Sequence, residues 1–291
     1  MSLKASELIL NADQSIYHLN LHPEDLAPTV LLVGDPDRVP KVSRYFDHIE
    51  LKKSKREFIT HTGTYNGLRI SVVSTGIGTD NIDIVLNELD ALVNIDFQRR
   101  EVRSTLKALN LIRLGTSGAL QEDIPTDALV LSDLAIGFDG LLHFYESEAI
   151  QVADVQFAFV EYSDWSVFKA IPYVVRANPE LFNHLYSEGM IRGFTATNPG
   201  FYAPQGRSLR LKPGQPNLGE ILSAFRHGDL RITNMEMETA GIFGLARLMG
   251  HKAASVNCIL ANRMTGRFSS DPASAVDHMI RTTLTNLTAT A

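Results

Sequence analysis

The sequence has very little cysteine. Cys258 is the one cysteine among 291 residues, so no intrachain disulfide can form, and the chain is not a small secreted domain held together by such bonds. Cys258 lies in the apolar run 253–260. Those neighbours predict a buried thiol with a structural role and not a nucleophile.

The sequence also lacks an uninterrupted apolar run that is long enough to cross a membrane. Its first residues do not show the basic start, long apolar stretch and small-residue cleavage site of a signal peptide. Positive charge is not in excess either, because 27 Lys and Arg stand against 33 Asp and Glu. We therefore expect a cytoplasmic protein with neither nucleic acid nor a membrane as its partner.

Two nucleotide-binding signatures are missing. No Gly-x-Gly-x-x-Gly follows the first predicted strand, and no Walker A sequence occurs, which argues against a dinucleotide or nucleoside triphosphate site. No internal repeat, low-complexity block or linker divides the chain. Hydrophobic residues make up 44% and charged residues 21%, an ordinary globular composition. We expect one domain over residues 1–291.

Strand and helix patterns alternate along the chain, which predicts an α/β fold. The run 29–33 reads as a buried strand, and 58–74 as a hairpin that turns at Asn66-Gly67. A helix capped by Asp80 is predicted next. Its apolar positions follow helical spacing: Ile82, Val85, Leu86, Leu89 and Leu92.

Three predicted strands end in loop segments that are rich in Gly with Thr, Ser or Asp. The segments begin at Gly34, at Thr75 and at Gly115, the last after the buried strand 111–114. The charge-rich stretch 94–110 before it is predicted to form an exposed extension. Ligands of α/β proteins gather at the carboxyl ends of strands, so these segments indicate a binding site.

Arginine residues beside these segments predict an anion site. Arg38 follows the turn Gly34-Asp35-Pro36-Asp37, and Arg113 lies inside an apolar strand, where a guanidinium needs an anionic partner. Arg56 and the Thr116 hydroxyl add further donors. Taken singly, Arg38 and Arg56 also fit surface ion pairs. The glycine segments favour free phosphate over a nucleoside triphosphate.

Taken together, five motifs in this order resemble the nucleoside phosphorylase family, and specifically its uridine phosphorylase branch. The similarity runs from about His18 into the final helix. The motifs are Gly34-Asp35-Pro36-Asp37-Arg38-Val39, Lys55-Arg56-Glu57-Phe58, Ser74-Thr75-Gly76-Ile77-Gly78, Arg113-Leu114-Gly115-Thr116-Ser117-Gly118 and Glu236-Met237-Glu238.

The resemblance implies a three-layer α/β/α fold with a mixed central sheet. It implies a phosphate site formed by five residues, of which Arg56 reaches into a neighbouring subunit. They are Gly34, Arg38, Arg56, Arg113 and Thr116. His18 would likewise cross to the sugar 5′-hydroxyl of the neighbour. A site shared in this way implies a homodimer unit, which in this family is often assembled further into a hexamer.

The segment Glu236-Met237-Glu238 is the ribose site that the resemblance implies. Glu238 would accept hydrogen bonds from the 2′- and 3′-hydroxyls, since a carboxylate only accepts and vicinal hydroxyls both donate. Met237 would pack against sugar and base, and Glu236 would act less directly by orienting a neighbour. Without the other motifs, the two acids fit a solvated helix start.

The stretch 197–207 would recognise the base. Gln205 and Arg207 match the residues that read uracil in uridine phosphorylases, Phe201 would form an aromatic wall, and Arg263 would support the site. On composition alone, the stretch is also a plain polar loop. Bacterial purine-cleaving relatives place an aspartic acid about where Asn262 stands. Asparagine is a poor proton donor, which disfavours purine cleavage by that mechanism.

The resulting hypothesis is a uridine phosphorylase, a pentosyltransferase that reversibly converts uridine and phosphate to uracil and ribose 1-phosphate. Arg113, Arg207 and Glu238 would carry the catalysis, inorganic phosphate is the co-substrate, and neither a further cofactor nor a metal is expected. Three alternatives stay open: a phosphorylase of purine or other nucleosides, a hydrolytic nucleosidase, and a noncatalytic nucleoside-binding protein.

Overall fold

The computed structural model describes residues 2–289, which form fifteen β-strands and seven α-helices. The strands are β1 (Thr29–Val33), β2 (His48–Lys55), β3 (Phe58–Tyr65), β4 (Leu68–Ser74), β5 (Ile95–Asp96), β6 (Glu101–Val102), β7 (Asn110–Ala119), β8 (Leu129–Gly137), β9 (Tyr173–Arg176), β10 (Ile191–Thr197), β11 (Arg226–His227), β12 (Leu230–Arg231), β13 (Asn234–Glu236), β14 (Lys252–Asn262) and β15 (Arg267–Phe268). The helices are α1 (Arg38–Ser43), α2 (Thr79–Asn94), α3 (Ala153–Ser163), α4 (Pro179–Leu185), α5 (Leu218–Ala224), α6 (Thr239–Leu248) and α7 (Pro272–Thr288).

A mixed sheet forms the centre of the molecule and has eleven strands within residues 2–289. Its order is β15-β14-β8-β10-β13-β7-β1-β4-β3-β2, with β9 paired to β8. Strand β14 also pairs with β7, so β14, β8, β10, β13 and β7 close into a ring. We call these strands the ring. Strands β1, β4, β3 and β2 extend from β7 as an open sheet, whereas β15 pairs with β14 and β9 pairs with β8.

Helices cover the sheet and confirm the predicted three-layer α/β/α arrangement with a mixed central sheet. Helix α6 packs on β8, β10 and β14, whereas α7 packs on β14 and β7 and α1 packs on β3 and β4. Helix α2 lies against α6. The sheet and helices bury a large apolar core that includes residues 30–33 of β1. No helix among residues 2–289 has the length and hydropathy needed to cross a membrane.

The predicted hairpin and helix are present, with one correction. Asn66 and Gly67 both have positive φ, 48° and 78°, as a type I′ hairpin turn between β3 and β4 requires. All five apolar positions predicted for α2 are buried. The prediction of Asp80 as the cap was wrong, because Gly78 is the N-cap residue and no side chain caps the helix. Asp80 instead lies in the first turn, where its charge favours the helix dipole.

Two boundaries also differ from the sequence prediction. Residues 115–118 are not a loop, because β7 continues to Ala119 and pairs with β14 over its whole length. The stretch 94–110 is mostly exposed, as predicted, but its ends belong to α2 and β7. Its middle folds into the two-stranded sheet of β5 and β6. Cys258 is fully buried in β14, which confirms its predicted environment.

Candidate active site

A buried arginine and two carboxylates form the centre of the site. Arg113 on β7 is 6% exposed. Its Nη2 lies 2.6 Å from Glu238 Oε2 and 3.0 Å from Glu236 Oε2. Burial lowers the pKa of the Arg113 guanidinium, but the charges of Glu236 and Glu238 outweigh this and raise it overall. The sequence predicted an anionic partner for Arg113, and the chain itself supplies two.

The two acids reach Arg113 together because the chain between them is not helical. Strand β13 ends at Glu236, and Glu238 is the N-cap residue of α6. Side chains two residues apart point to the same side of an extended chain. The backbone N–H of Gly78, at the start of α2, donates to Glu238 Oε1 at 2.9 Å. Glu238 is thus held between Arg113 and the beginning of a helix.

Glu236 is occupied by the protein on both of its oxygens. Oε1 accepts from the Thr197 hydroxyl at 2.6 Å, and Oε2 accepts from the backbone N–H groups of Glu238 and Thr239, each at 2.9 Å. Burial raises the pKa of Glu236, Arg113 opposes the shift, and the charge of Glu238 adds to it. Glu236 therefore fixes the turn that carries Glu238 and the half-buried Met237.

Arg38 brings a second guanidinium near Arg113. It begins α1, and its Nη1 donates to the carbonyl of Leu114 in β7 at 3.0 Å. Burial lowers the pKa of Arg38, and the positive charge of Arg113 lowers it further. Two cations that repel each other in a partly buried place favour an anion beside them.

The other predicted phosphate residues of this region lie close by. Thr116 and Arg38 line a cavity of about 570 Å³ between α1 and the amino-terminal half of α7. Gly34 directly follows β1, whose Leu32 pairs with Arg113. A Cβ at Gly34 would approach the Gly76 carbonyl to 3.3 Å, so the first two glycine segments lie against each other.

Arg56 and His18 lie near each other. Arg56 is exposed in the turn between β2 and β3, with its guanidinium 5.9 Å from the Tyr17 ring centroid. The His18 ring packs edge-on against Tyr17 and Phe58. Its Nδ1 is 2.7 Å from Glu88 Oε1 on α2. These are the two residues for which the sequence predicted a role in a neighbouring subunit.

The predicted base residues cluster in the loop after β10. Gln205 is buried, and its Oε1 accepts a hydrogen bond from Arg207. The Arg207 guanidinium also stacks over the Phe201 ring, 3.7 Å from its centroid, and donates to the Phe201 carbonyl at 2.6 Å. Burial and repulsion from Arg263 lower the pKa of Arg207 to about 10. Within residues 2–289 the Gln205 amide nitrogen makes no hydrogen bond, so it can donate to a ligand.

Arg263 completes this cationic group. Its Nη1 is buried and has no hydrogen-bond partner within residues 2–289, and burial lowers the pKa of the guanidinium. An unpaired buried donor is costly unless a ligand accepts from it. Asn262 is used differently: its amide donates to two backbone carbonyls and accepts from the N–H groups of Met264 and Thr265. Asn262 therefore shapes the turn that presents Arg263.

Comparison with known proteins decides the family. A sequence model of the phosphorylase superfamily matches residues 28–288. The chain belongs to the phosphorylase superfamily. Its predicted place among the nucleoside phosphorylases, which are pentosyltransferase enzymes, is thereby confirmed.

Individual relatives of this phosphorylase include enzymes for pyrimidine and purine nucleosides. A uridine phosphorylase of Thermococcus kodakarensis is 33% identical over 261 residues, which cover 87% of this chain and 79% of the relative. A DeoD-type purine nucleoside phosphorylase of Bacillus velezensis is 29% identical over 251 residues, 86% of this chain and 88% of the relative. The solved structure of a Trypanosoma brucei nucleoside phosphorylase, described as showing uridine phosphorylase activity, superposes with a TM-score of 0.87 at 29% identity and covers 97% of this chain and 99% of that one.

Two site residues of this phosphorylase were missed by the sequence interpretation. The Asn257 amide oxygen accepts a hydrogen bond from Arg113 Nη1 at 2.8 Å. Gly115 leaves room for the same guanidinium, because a Cβ there would lie 1.8 Å from Nη1. The available signal for Asn257 was a lone amide within the apolar run 253–260. Nothing local distinguishes Gly115 from a turn glycine.

Proposed function

We propose that this chain catalyses the reversible phosphorolysis of uridine to uracil and ribose 1-phosphate. The observation that carries the proposal is the position of Arg113. One face of its guanidinium binds Glu238, the predicted ribose ligand, and its charge acts on Arg38, the predicted phosphate ligand. An anion held by the two arginines lies next to a sugar held by Glu238. This is the arrangement that attack of phosphate on C1′ needs.

The phosphate would be bound by Arg38, Arg113, Thr116 and the Gly34 backbone, with Arg56 supplied by a neighbouring subunit. A phosphate oxygen forms a bond to C1′ while the bond from C1′ to N1 of the base breaks. Its negative charge stabilises the oxocarbenium-like sugar in the transition state. The free acceptor capacity of Glu238 suits the 2′- and 3′-hydroxyls, which both donate. His18 of the neighbour would bind the 5′-hydroxyl, and Met237 would pack on the sugar.

The base would be held by Gln205, Arg207 and Arg263 against the Phe201 ring. Uracil carries carbonyl oxygens at both sides of N3–H, and this group of donors matches them. The electron pair of the broken glycosidic bond passes to the uracil ring. Arg207 and Arg263 stabilise the resulting negative charge until the base takes up a proton. The uridine phosphorylase from Thermococcus kodakarensis and the solved structure from Trypanosoma brucei support this substrate.

The assembly that we propose is a homodimer in which each site borrows residues from the other subunit. The support is that Arg56, which is exposed, and His18 lie close together, both against Tyr17. A hexamer built from such dimers, a single domain over the whole chain and a cytoplasmic location for pyrimidine salvage stay predictions of the sequence.

Purine nucleosides are the second candidate substrate, because one relative is named as a purine nucleoside phosphorylase. The environment of Asn262 argues against them. Its amide group is fully engaged by backbone groups and is no proton donor for N7 of a leaving purine.

A panel of nucleosides assayed for base release with and without phosphate tests the proposal. We expect release of uracil from uridine that requires phosphate and yields ribose 1-phosphate. Arg38→Ala should abolish the phosphate-dependent release of uracil. Arg281→Ala, on the exposed face of α7, should leave the release and its dependence on phosphate unchanged. Release without phosphate would identify a hydrolase, and faster cleavage of inosine would identify a purine enzyme. Binding without release would identify a noncatalytic protein.

A further inference from the structure

Asn257 is a buried residue whose amide binds Nη1 of Arg113, whereas the two acids bind Nη2. Strands β7 and β14 run parallel, with Ser255 paired to Arg113 and Asn257 paired to Gly115. The Arg113 side chain extends along its strand over Gly115, which has no Cβ to obstruct it. It thereby reaches Asn257 on the neighbouring strand, whose oxygen accepts from Nη1 at 2.8 Å.

The orientation of the Asn257 amide is fixed by two further hydrogen bonds. Its Nδ2 donates to the hydroxyls of Ser132 on β8 and Ser255 on β14, each at 3.1 Å. A flipped amide would turn an N–H group toward the donors of Arg113 and a carbonyl toward the serines. Ser255 also bonds to the Thr239 hydroxyl at 2.9 Å, at the first residue of α6.

The hydrogen bonds continue around the ring, with one residue from each strand. The Thr195 hydroxyl on β10 lies 2.6 Å from Ser132 and donates to Asn234 on β13 at 3.0 Å. Asn234 in turn donates to Ser117 on β7 at 3.0 Å. Because Thr195 gives its one hydrogen to Asn234, Ser132 must donate to Thr195 and accept from Asn257. The direction of each bond is therefore determined, and every member is buried.

We propose that Asn257 is a positioning residue for phosphorolysis. The series of hydrogen bonds around the ring fixes the Asn257 amide. The amide in turn holds Nη1 of Arg113, so that the guanidinium does not turn fully toward Glu236 and Glu238. One donor edge of Arg113 thus stays directed at the phosphate. The role of Asn257 lies in phosphate binding and attack, acts through Arg113, and rests on the proposed function.

A comparison of Asn257→Ala with Asn94→Ala tests the proposal. Asn94 is a matched control because it is also buried and also makes three hydrogen bonds, with Asp90 and with both backbone groups of Lys107, at the end of α2. Both variants should lose a similar amount of Tm. Asn257→Ala should raise the KM for phosphate about tenfold or more and lower kcat, while the KM for uridine changes less than threefold. Asn94→Ala should leave all three values unchanged.

The rise in Tm on adding inorganic phosphate gives a readout without turnover. Wild type and Asn94→Ala should show the rise, and Asn257→Ala should lose most of it. If Asn257→Ala does not fold, Ser132→Ala removes an acceptor of the amide and should shift the same quantities in the same direction by a smaller factor. A phosphate KM and a phosphate-dependent Tm rise that match those of Asn94→Ala would overturn the proposal.

The outcomes separate this inference from the proposed function. If phosphate stabilises the wild type but the wild type does not cleave uridine, the proposed function is wrong. The Tm comparison then decides whether Asn257 positions Arg113. A wild-type Tm that phosphate does not raise would overturn both.

Discussion

At the scale of single residues, the site is a balance of buried charges. Arg113 binds two carboxylates, and its charge also acts on the cation of Arg38. Removing one partner from a buried ion pair leaves an uncompensated charge, whereas removing an unpaired charge can stabilise a protein. Arg113 and Arg263 represent these two cases, and their variants should change stability in opposite directions.

Arg113→Ala should abolish phosphorolysis and also lower the free energy of unfolding by about 3–5 kcal/mol at neutral pH, because Glu236 and Glu238 then repel each other. Loss of the cation raises the pKa of Glu236 still further. A carboxyl group whose pKa is higher in the folded than in the unfolded protein lowers the free energy of unfolding as the pH rises above its ordinary pKa of 4.5. The deficit relative to wild type should therefore shrink as the pH falls toward that value.

Urea denaturation at several pH values measures this deficit. Adding Glu236→Gln to Arg113→Ala removes one of the two buried charges and should recover part of the stability at neutral pH. A deficit that is independent of both pH and Glu236 would contradict the charge balance described for the site.

Arg263→Met should stabilise the free protein by about 1 kcal/mol, since it removes a buried donor without a partner and a repulsion on Arg207. The same change should lower kcat/KM for uridine at least tenfold, because the negative charge on the departing base loses a stabilising cation. Thermal unfolding and steady-state kinetics check the two effects. Arg267→Met alters an exposed arginine nearby and should change neither quantity. A destabilised Arg263→Met would contradict the energetic cost that we assign to the buried Nη1 of Arg263.

At the scale of elements, the third glycine segment belongs to a strand. Gly115→Ala would place a Cβ where the Arg113 guanidinium lies. We expect a loss of about 1–3 kcal/mol in unfolding free energy and a decrease in kcat/KM of roughly a hundredfold. Gly118→Ala is the matched control on the same strand, because its Cβ would meet Arg263 Cγ at an ordinary 3.5 Å. Equal kinetics for the two variants would disprove the steric role of Gly115.

Local patterns predicted the elements whose signals lie close together in the sequence. Strand β1, the hairpin turn at Asn66-Gly67 and the buried face of α2 all follow from neighbouring residues. The prediction of a loop over residues 115–118 was wrong, because the strand conformation of this segment depends on pairing with β14, far along the chain. Tertiary pairing overrode a local composition that is typical of loops.

Part of the site was predictable from local residues and from the family resemblance. The arginines were predicted from the strand ends and from a guanidinium inside an apolar strand, and Glu238 and the base stretch from the resemblance. The structure brings Arg38, Arg113 and Glu238 together. Asn257 belongs to no motif, and its meaning arises from partners on two other strands. No spacing in the sequence encodes such a contact.

At the scale of the whole molecule, the site that we propose is completed by a second subunit. Arg56 is exposed beside Tyr17, and the His18 ring next to it is held by Glu88. If each site takes Arg38 from one subunit and Arg56 from the other, the inactive variants Arg38→Ala and Arg56→Ala should complement each other. In a mixed dimer, one site then carries both substitutions and the other carries neither.

Refolding an equal mixture of the two variants should therefore restore about a quarter of wild-type activity, since half of the dimers are mixed and each has one intact site. Each variant refolded alone is the control. Activity in the mixture that does not exceed that of the separate variants would show that the phosphate site is completed within one subunit.

The closed ring also has a consequence for how the chain reaches its fold. Strand β14 is synthesised late, yet it must insert between β7 and β8, whose residues precede it by more than a hundred positions. Until residue 262 has left the ribosome, β7 and β8 each expose a strand edge made of apolar residues. A nascent chain of this kind gains its decisive contacts only at the end of translation, so it folds slowly and depends on protection from aggregation until then.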